Sequence, residues 1–179
     1  AVVAKSNKKN TTINLQERLL QNTIYDLHEP LVKTEIPLQI DLVQRAYKAA
    51  QDYDKRIIKV SANLNSNLSY ITIANSEGLL ISDIRPQIRL MVAATADDNK
   101  TRTTAMSNNG GRYGLKFFQD IDTPENIGRK ASEEAIILLS ATNAPSGELP
   151  VVLGSEESGV MIHEAIGHPL EADSIRTKT

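Results

Sequence analysis

Two of the chain's three histidines, His163 and His168, lie within Met-Ile-His-Glu-Ala-Ile-Gly-His-Pro-Leu-Glu-Ala-Asp, residues 161–173. These residue types have the makings of a hydrolytic zinc site. Two neutral imidazoles can hold the metal, and the carboxylate of Glu164 can take a proton from a zinc-bound water. The spacing carries the information. Histidines at i and i+4 share one face of a helix. At i and i+5 they lie about 140° apart on a helix that turns roughly 100° per residue, so a straight α-helix would aim them in different directions.

Gly167 and Pro169 flank His168 and offer a way round this. Glycine ends helices in the left-handed conformation and proline cannot continue one. His163 and Glu164 are therefore expected in the last turns of a helix, with the chain swinging at Gly167 to bring His168 back. A π-type turn with i→i+5 bonding would also serve, and such distortions often mark functional sites. The bland alternative is a helix C-cap carrying two unrelated polar side chains. Glu171 and Asp173 are candidates for a further ligand, or for supporting the ligands from behind.

The string from His163 to Asp173 resembles the H-E-x-x-x-H region of the TldD branch of the TldD/PmbA metalloprotease family, also called modulators of DNA gyrase. The likeness extends through Leu149–Gly154, Ser107–Gly114, Asp83–Leu90 and the residues around Tyr53–Ile58, and so covers most of the chain from about Pro37. The resemblance implies that His163 and His168 are zinc ligands and Glu164 the catalytic acid/base. It implies extended or unfolded peptides as substrates, and partnership with a PmbA/TldE-type paralogue or a homodimer. It also implies an interior piece of a longer protein. The family's third ligand is a cysteine well downstream of the second histidine. This chain has no cysteine, so weak or absent metal binding is expected of it in isolation, unless Glu171 or Asp173 substitutes.

The elements that must position the motif are legible as periodicities. From Pro37, Leu38, Leu42, Val43, Ala46, Ala49, Ala50 and Tyr53 recur at three- and four-residue steps, which predicts an amphipathic helix ending near Asp54. Thr123-Pro-Glu125 reads as a second helix start, with an apolar stripe of Ile127, Ala131, Ala135, Leu138 and Leu139. Between them, segments 56–63, 68–74, 79–83, 87–95 and 101–107 alternate like strands. Turns are expected at Ser76–Gly78 and Asp97–Lys100. The fold class expected is α+β: an antiparallel or mixed sheet of about five strands covered by two long helices, followed by a helix carrying the metal motif. A short helix is expected from Asn14 to about Gln21, an extended segment near 31–36, and a short buried strand at Pro150–Leu153. Ser155–Glu157 should open the motif helix. Domain bounds follow: a polar connector over 1–36, an α/β domain over 37–149, and the strand and motif helix over 150–179.

Composition sets the limits. The 179 residues are 40% hydrophobic and 23% charged, ordinary for a globular protein. A net charge of −2 leaves no basic footprint for nucleic acid. No apolar run approaches the eighteen or so residues of a membrane-spanning helix. The lack of cysteine rules out a disulfide framework and fits a cytoplasmic protein.

Other residues invite smaller roles. The glycine-rich stretch Asn108–Gly114 lacks phosphate-cradle spacing and reads as a turn needing positive φ, although Arg112 within it is a candidate for lining the substrate site. Arg85 reads as a structural or sheet-edge charge and His28 as solvated. Asp97 and Asp98 read as turn residues rather than a catalytic pair. The reading these features support is a zinc-dependent peptidase subunit. The rival is a non-enzymatic interaction module with an incomplete metal site.

Overall fold

The structure is a computed structural model that describes residues 13–18, 36–154 and 158–177. The chain divides into two compact units, one running to Ala141 and the other from Thr142.

The first unit is an α+β layer. Its helices are α1 (Ile36–Gln51), the short α2 (Phe117–Asp120) and α3 (Pro124–Leu138); its strands are β1 (Gln16–Glu17), β2 (Ile57–Ala74), β3 (Leu79–Asp97) and β4 (Arg102–Gly111). β3 is the central strand. It pairs antiparallel with β2 along nearly its whole length, from Ile57↔Ala96 to Ala74↔Leu80. Its other edge takes β4, antiparallel from Asp97↔Arg102 to Ile88↔Gly111, and β1, parallel at Leu79 and Leu80. The sheet is therefore mixed, as expected.

Strand number differs from expectation. Segments 56–63 and 68–74 are one strand, and so are 79–83 and 87–95. The polar run Asn63-Leu-Asn-Ser-Asn67 has poor strand propensity, but its partners at Gln87–Met91 supply a full ladder, and pairing overrides local preference. Pro86 sits opposite Leu68, at a stretch where the second edge of β3 has no partner among the described residues. Such a stretch tolerates a residue without an N–H. At the chain's start the leucine spacing misled: Gln16 and Glu17 form a strand rather than a helical turn, with Gln16 N–H donating to Gly78 O and Arg18 N–H to Leu80 O. The expectations for His28, for residues 31–35 and for Ser155–Glu157 lie outside the described residues.

The core forms where period two meets period 3.6. Ile88, Leu90, Val92, Ala94 and Ala96 line the buried face of β3, while Arg89 and Met91 on the opposite face are exposed. Leu42, Ala46 and Ala50 of α1 and Ile127, Ala131 and Ala135 of α3 cover that face. The α3 stripe is fully buried as far as Ala135 and continues through half-buried Ile136 and Leu139, which pack on the core; Leu138 is exposed. Small residues let the helices cross closely. A Cβ at Gly128 would lie 2.2 Å from Ala46 O, and buried Ser132 donates its hydroxyl to Ala50 O at 2.8 Å. Arg45 of α1 grips Glu125 of α3 through Nε–Oε1 at 2.6 Å and Nη2–Oε2 at 2.9 Å.

α3 begins as expected. Thr123 is extended and its hydroxyl accepts from Asn126 N, with Pro124 in the first turn. Asp122 ties this start to β4 by accepting from Asn109 Nδ2 at 2.8 Å and Asn126 Nδ2 at 2.7 Å. The tight turn after β3 also holds. Asp98 Oδ1 accepts from the N–H groups of Lys100 and Thr101, Asp97 Oδ1 accepts from Asn99, and Asn99 takes a φ of 70°.

Candidate metal centre

The second unit carries the motif on a run of short helical turns: α4 (Ser158–Ile162), a π-turn (His163–Gly167), a 3₁₀ turn (His168–Leu170) and α5 (Ala172–Thr177). The upstream segment Pro150–Leu153, expected as a buried strand, is irregular and exposed, with Val152 97% accessible. No strand pairs with it among the described residues, and a lone apolar run has no ladder to join.

Of the two remedies for the i, i+5 spacing, the π-turn is the one present. His168 N–H donates to His163 O, which closes an i→i+5 ring. Gly167 is not left-handed; its φ and ψ of −65° and −53° are ordinary right-handed helix. The glycine matters for space instead. A Cβ there would lie 3.0 Å from His163 Nδ1 and 3.4 Å from its Cγ, so the bare backbone leaves room for the His163 ring. Pro169 lies within the 3₁₀ turn that follows. Glu171 leaves the helix with a ψ of 145° while its N–H still reaches His168 O at 3.0 Å.

The extra residue in the turn brings the two rings together. The centroids of His163 and His168 are 4.6 Å apart, edge to face, with their planes at 68°. One ligand atom from each of His163, Glu164 and His168 lies within 4.8 Å of the others. His168 Nε2 is 3.3 Å from Glu164 Oε2, and its Nδ1 is 3.1 Å from Glu171 Oε1. Ligand atoms around tetrahedral zinc sit roughly 3.3 Å apart, given bonds of about 2.0–2.1 Å. All three side chains are exposed, and the imidazole and carboxylate donors gathered here are types that hold a divalent ion. Asp173 does not join the group; it lies in the first turn of α5.

Elsewhere the geometry revises one reading and supports others. Asn108–Gly111 is the end of β4, not a positive-φ turn. Gly110 is needed for close approach, because a Cβ there would lie 2.1 Å from Ile88 O across the ladder. Arg112 follows at the bend after β4, half-buried. Arg85 pairs with Asp83 along the same strand at 2.7 Å. The helical turn at Phe117–Asp120 had no periodic signal; its apolar pair Phe117 and Phe118, both buried, was the only hint. No described helix is long and apolar enough to cross a membrane.

The family described as PmbA/TldA metallopeptidase central domain matches residues 29–139. A protein named metalloprotease TldD homolog from Haemophilus influenzae is 36% identical over 159 residues, which is 87% of this chain and 33% of that protein. A namesake from Buchnera aphidicola of Acyrthosiphon pisum is 38% identical over 164 residues, 84% of this chain and 34% of its own. The chain thus spans about a third of the length of these relatives. In fold it is similar to a crystal structure titled as a modulator of a DNA gyrase from Thermotoga maritima, with a TM-score of 0.61 at 22% identity. That likeness covers 79% of this chain and 31% of the other.

Proposed function

The chain belongs to the PmbA/TldD metallopeptidase family, and from that premise we propose that it contributes the zinc-binding histidines and the general base of a TldD-type peptidase. One observation carries the reading: a π-turn gathers His163, Glu164 and His168 so that their ligand atoms lie within 4.8 Å of one another. His163 and His168 would hold zinc. When bound, the ion supplies a Lewis acid that polarises the scissile carbonyl and acidifies water. Glu164, next to the first ligand, accepts the proton of the attacking water and hands it to the leaving amine. Proton transfer of this kind is worth typically about 10²–10⁴ in rate.

The wider reading follows the family. Substrates are extended or unfolded peptides, Arg112 is a candidate to grip their carbonyl or carboxylate groups, and the working enzyme is cytoplasmic and pairs with a PmbA/TldE-type paralogue or a second copy. A third ligand must come from outside the chain's own cysteines, since it has none. For the 179-residue chain alone, the missing thiolate supports the rival reading of an inactive module.

The test is Glu164→Gln in the full-length protein. Peptide cleavage should fall by at least about a hundredfold, the lower bound for a proton-transfer group, while zinc content is unchanged. Cleavage at near-normal rate with metal still bound would remove Glu164 from the mechanism.

A further inference from the structure

His168 stands between two carboxylates. Glu164 Oε2 lies 3.3 Å from Nε2 and Glu171 Oε1 lies 3.1 Å from Nδ1, on opposite sides of the ring. A neutral imidazole has one N–H to give, so it can satisfy only one of them. Which one it chooses decides which lone pair remains to bind a cation.

Three features favour Glu171 as the acceptor. Its oxygen is the nearer. Its backbone is tied to the same histidine, because Glu171 N–H donates to His168 O at 3.0 Å. That carbonyl is held again by the Ser174 hydroxyl at 3.2 Å. The 3₁₀ turn His168–Leu170 carries the chain from His168 to Glu171, three residues on and one turn of such a helix, which stacks the two side chains. Glu164, by contrast, belongs with His163 to the π-turn, and the ligand atoms of His163, Glu164 and His168 lie within 4.8 Å of one another.

We propose that Glu171 is a positioning residue and not a ligand: it accepts a hydrogen bond from His168 Nδ1–H, fixing the tautomer that presents Nε2 beside His163 and Glu164. Metal-binding histidines commonly donate their second N–H to a carboxylate or carbonyl, and loss of that partner weakens metal binding by about 10–100-fold. The inference rests on the metal-site reading above, but its core is a statement about a proton in the metal-free chain.

The experiment is ¹⁵N–¹H long-range NMR of the histidine rings in the 179-residue chain, metal-free and at a pH where imidazole is neutral. It compares the wild type with Glu171→Ala and Glu171→Gln. Wild-type His168 should carry its proton on Nδ1. Glu171→Ala should move it to Nε2, where Glu164 becomes the acceptor. Glu171→Gln keeps an acceptor oxygen and should keep the wild-type tautomer, an outcome that loss of a ligand or of general structure would not produce. Wild-type His168 protonated on Nε2, or an unchanged tautomer in Glu171→Ala, overturns the proposal. Adding Zn²⁺ to the full-length protein tests the underlying reading separately. If no ring nitrogen of His163 or His168 responds, the metal site fails, whatever the tautomer result.

Discussion

Gly167 is the residue on which the site's geometry turns, and its substitution separates stability from function. Alanine there is a better helix former than glycine, by about 1 kcal/mol in a helix interior. Its methyl would sit 3.0 Å from His163 Nδ1, closer than nearly all real contacts, and the exposed ring is what can move. Gly167→Ala should therefore leave the motif segment at least as helical while turning the His163 ring away from His168. Zinc-induced shifts of the two ring systems in NMR would report this as weakened binding with unchanged helical content. Undiminished binding would show that the ring never needed that space. The convergence of the two histidines was legible in their spacing and in Gly167; the choice between a left-handed swing and a π-turn was not. Both place His168 near His163, and the hydrogen bond from His168 N–H to His163 O that separates them leaves no mark on composition.

At the scale of elements, the contact between α1 and α3 holds the first unit together. Gly128→Ala puts a methyl into the Ala46 carbonyl, where backbone rather than a flexible side chain must yield. Overpacking of this kind costs about 1–3 kcal/mol, only partly offset by the better helix propensity of alanine. Urea denaturation should show a lowered midpoint with an unchanged slope. The Arg45–Glu125 bridge across the same contact predicts a pH response. The hydrogen bond from the Arg45 guanidinium, set against partial burial, holds Glu125 below its ordinary 4.5. A carboxylate depressed in the folded state adds stability that is complete above the unfolded value and lost as pH falls through the folded one. Glu125→Gln should flatten that part of the acid limb. With the two side chains 40% and 36% exposed, the effect is at most about 1 kcal/mol. Both helices and the buried face of β3 were readable from period alone, because burial there follows the apolar alternation. The fusion of four short strands into two was not. Asn63–Asn67 is held extended by its partners and not by its own preference.

At the scale of the whole molecule, the chain spans about a third of the length of the relatives it matches. Within it Val151 and Val152 are exposed, and it has no cysteine to add to the histidine pair. Two histidines and nearby carboxylates make a weak zinc site, so the 179-residue chain should emerge from desalting with well under one zinc per molecule. One tightly held ion per chain would overturn that expectation. Anomalous diffraction at the zinc edge, on crystals of the full-length protein, tests the account most directly. It should place a single peak about 2.0–2.1 Å from a ring nitrogen of both His163 and His168, with Glu164 facing the ion's open side. A peak bound elsewhere, or none while the two rings splay apart along a continuous α-helix, would contradict it.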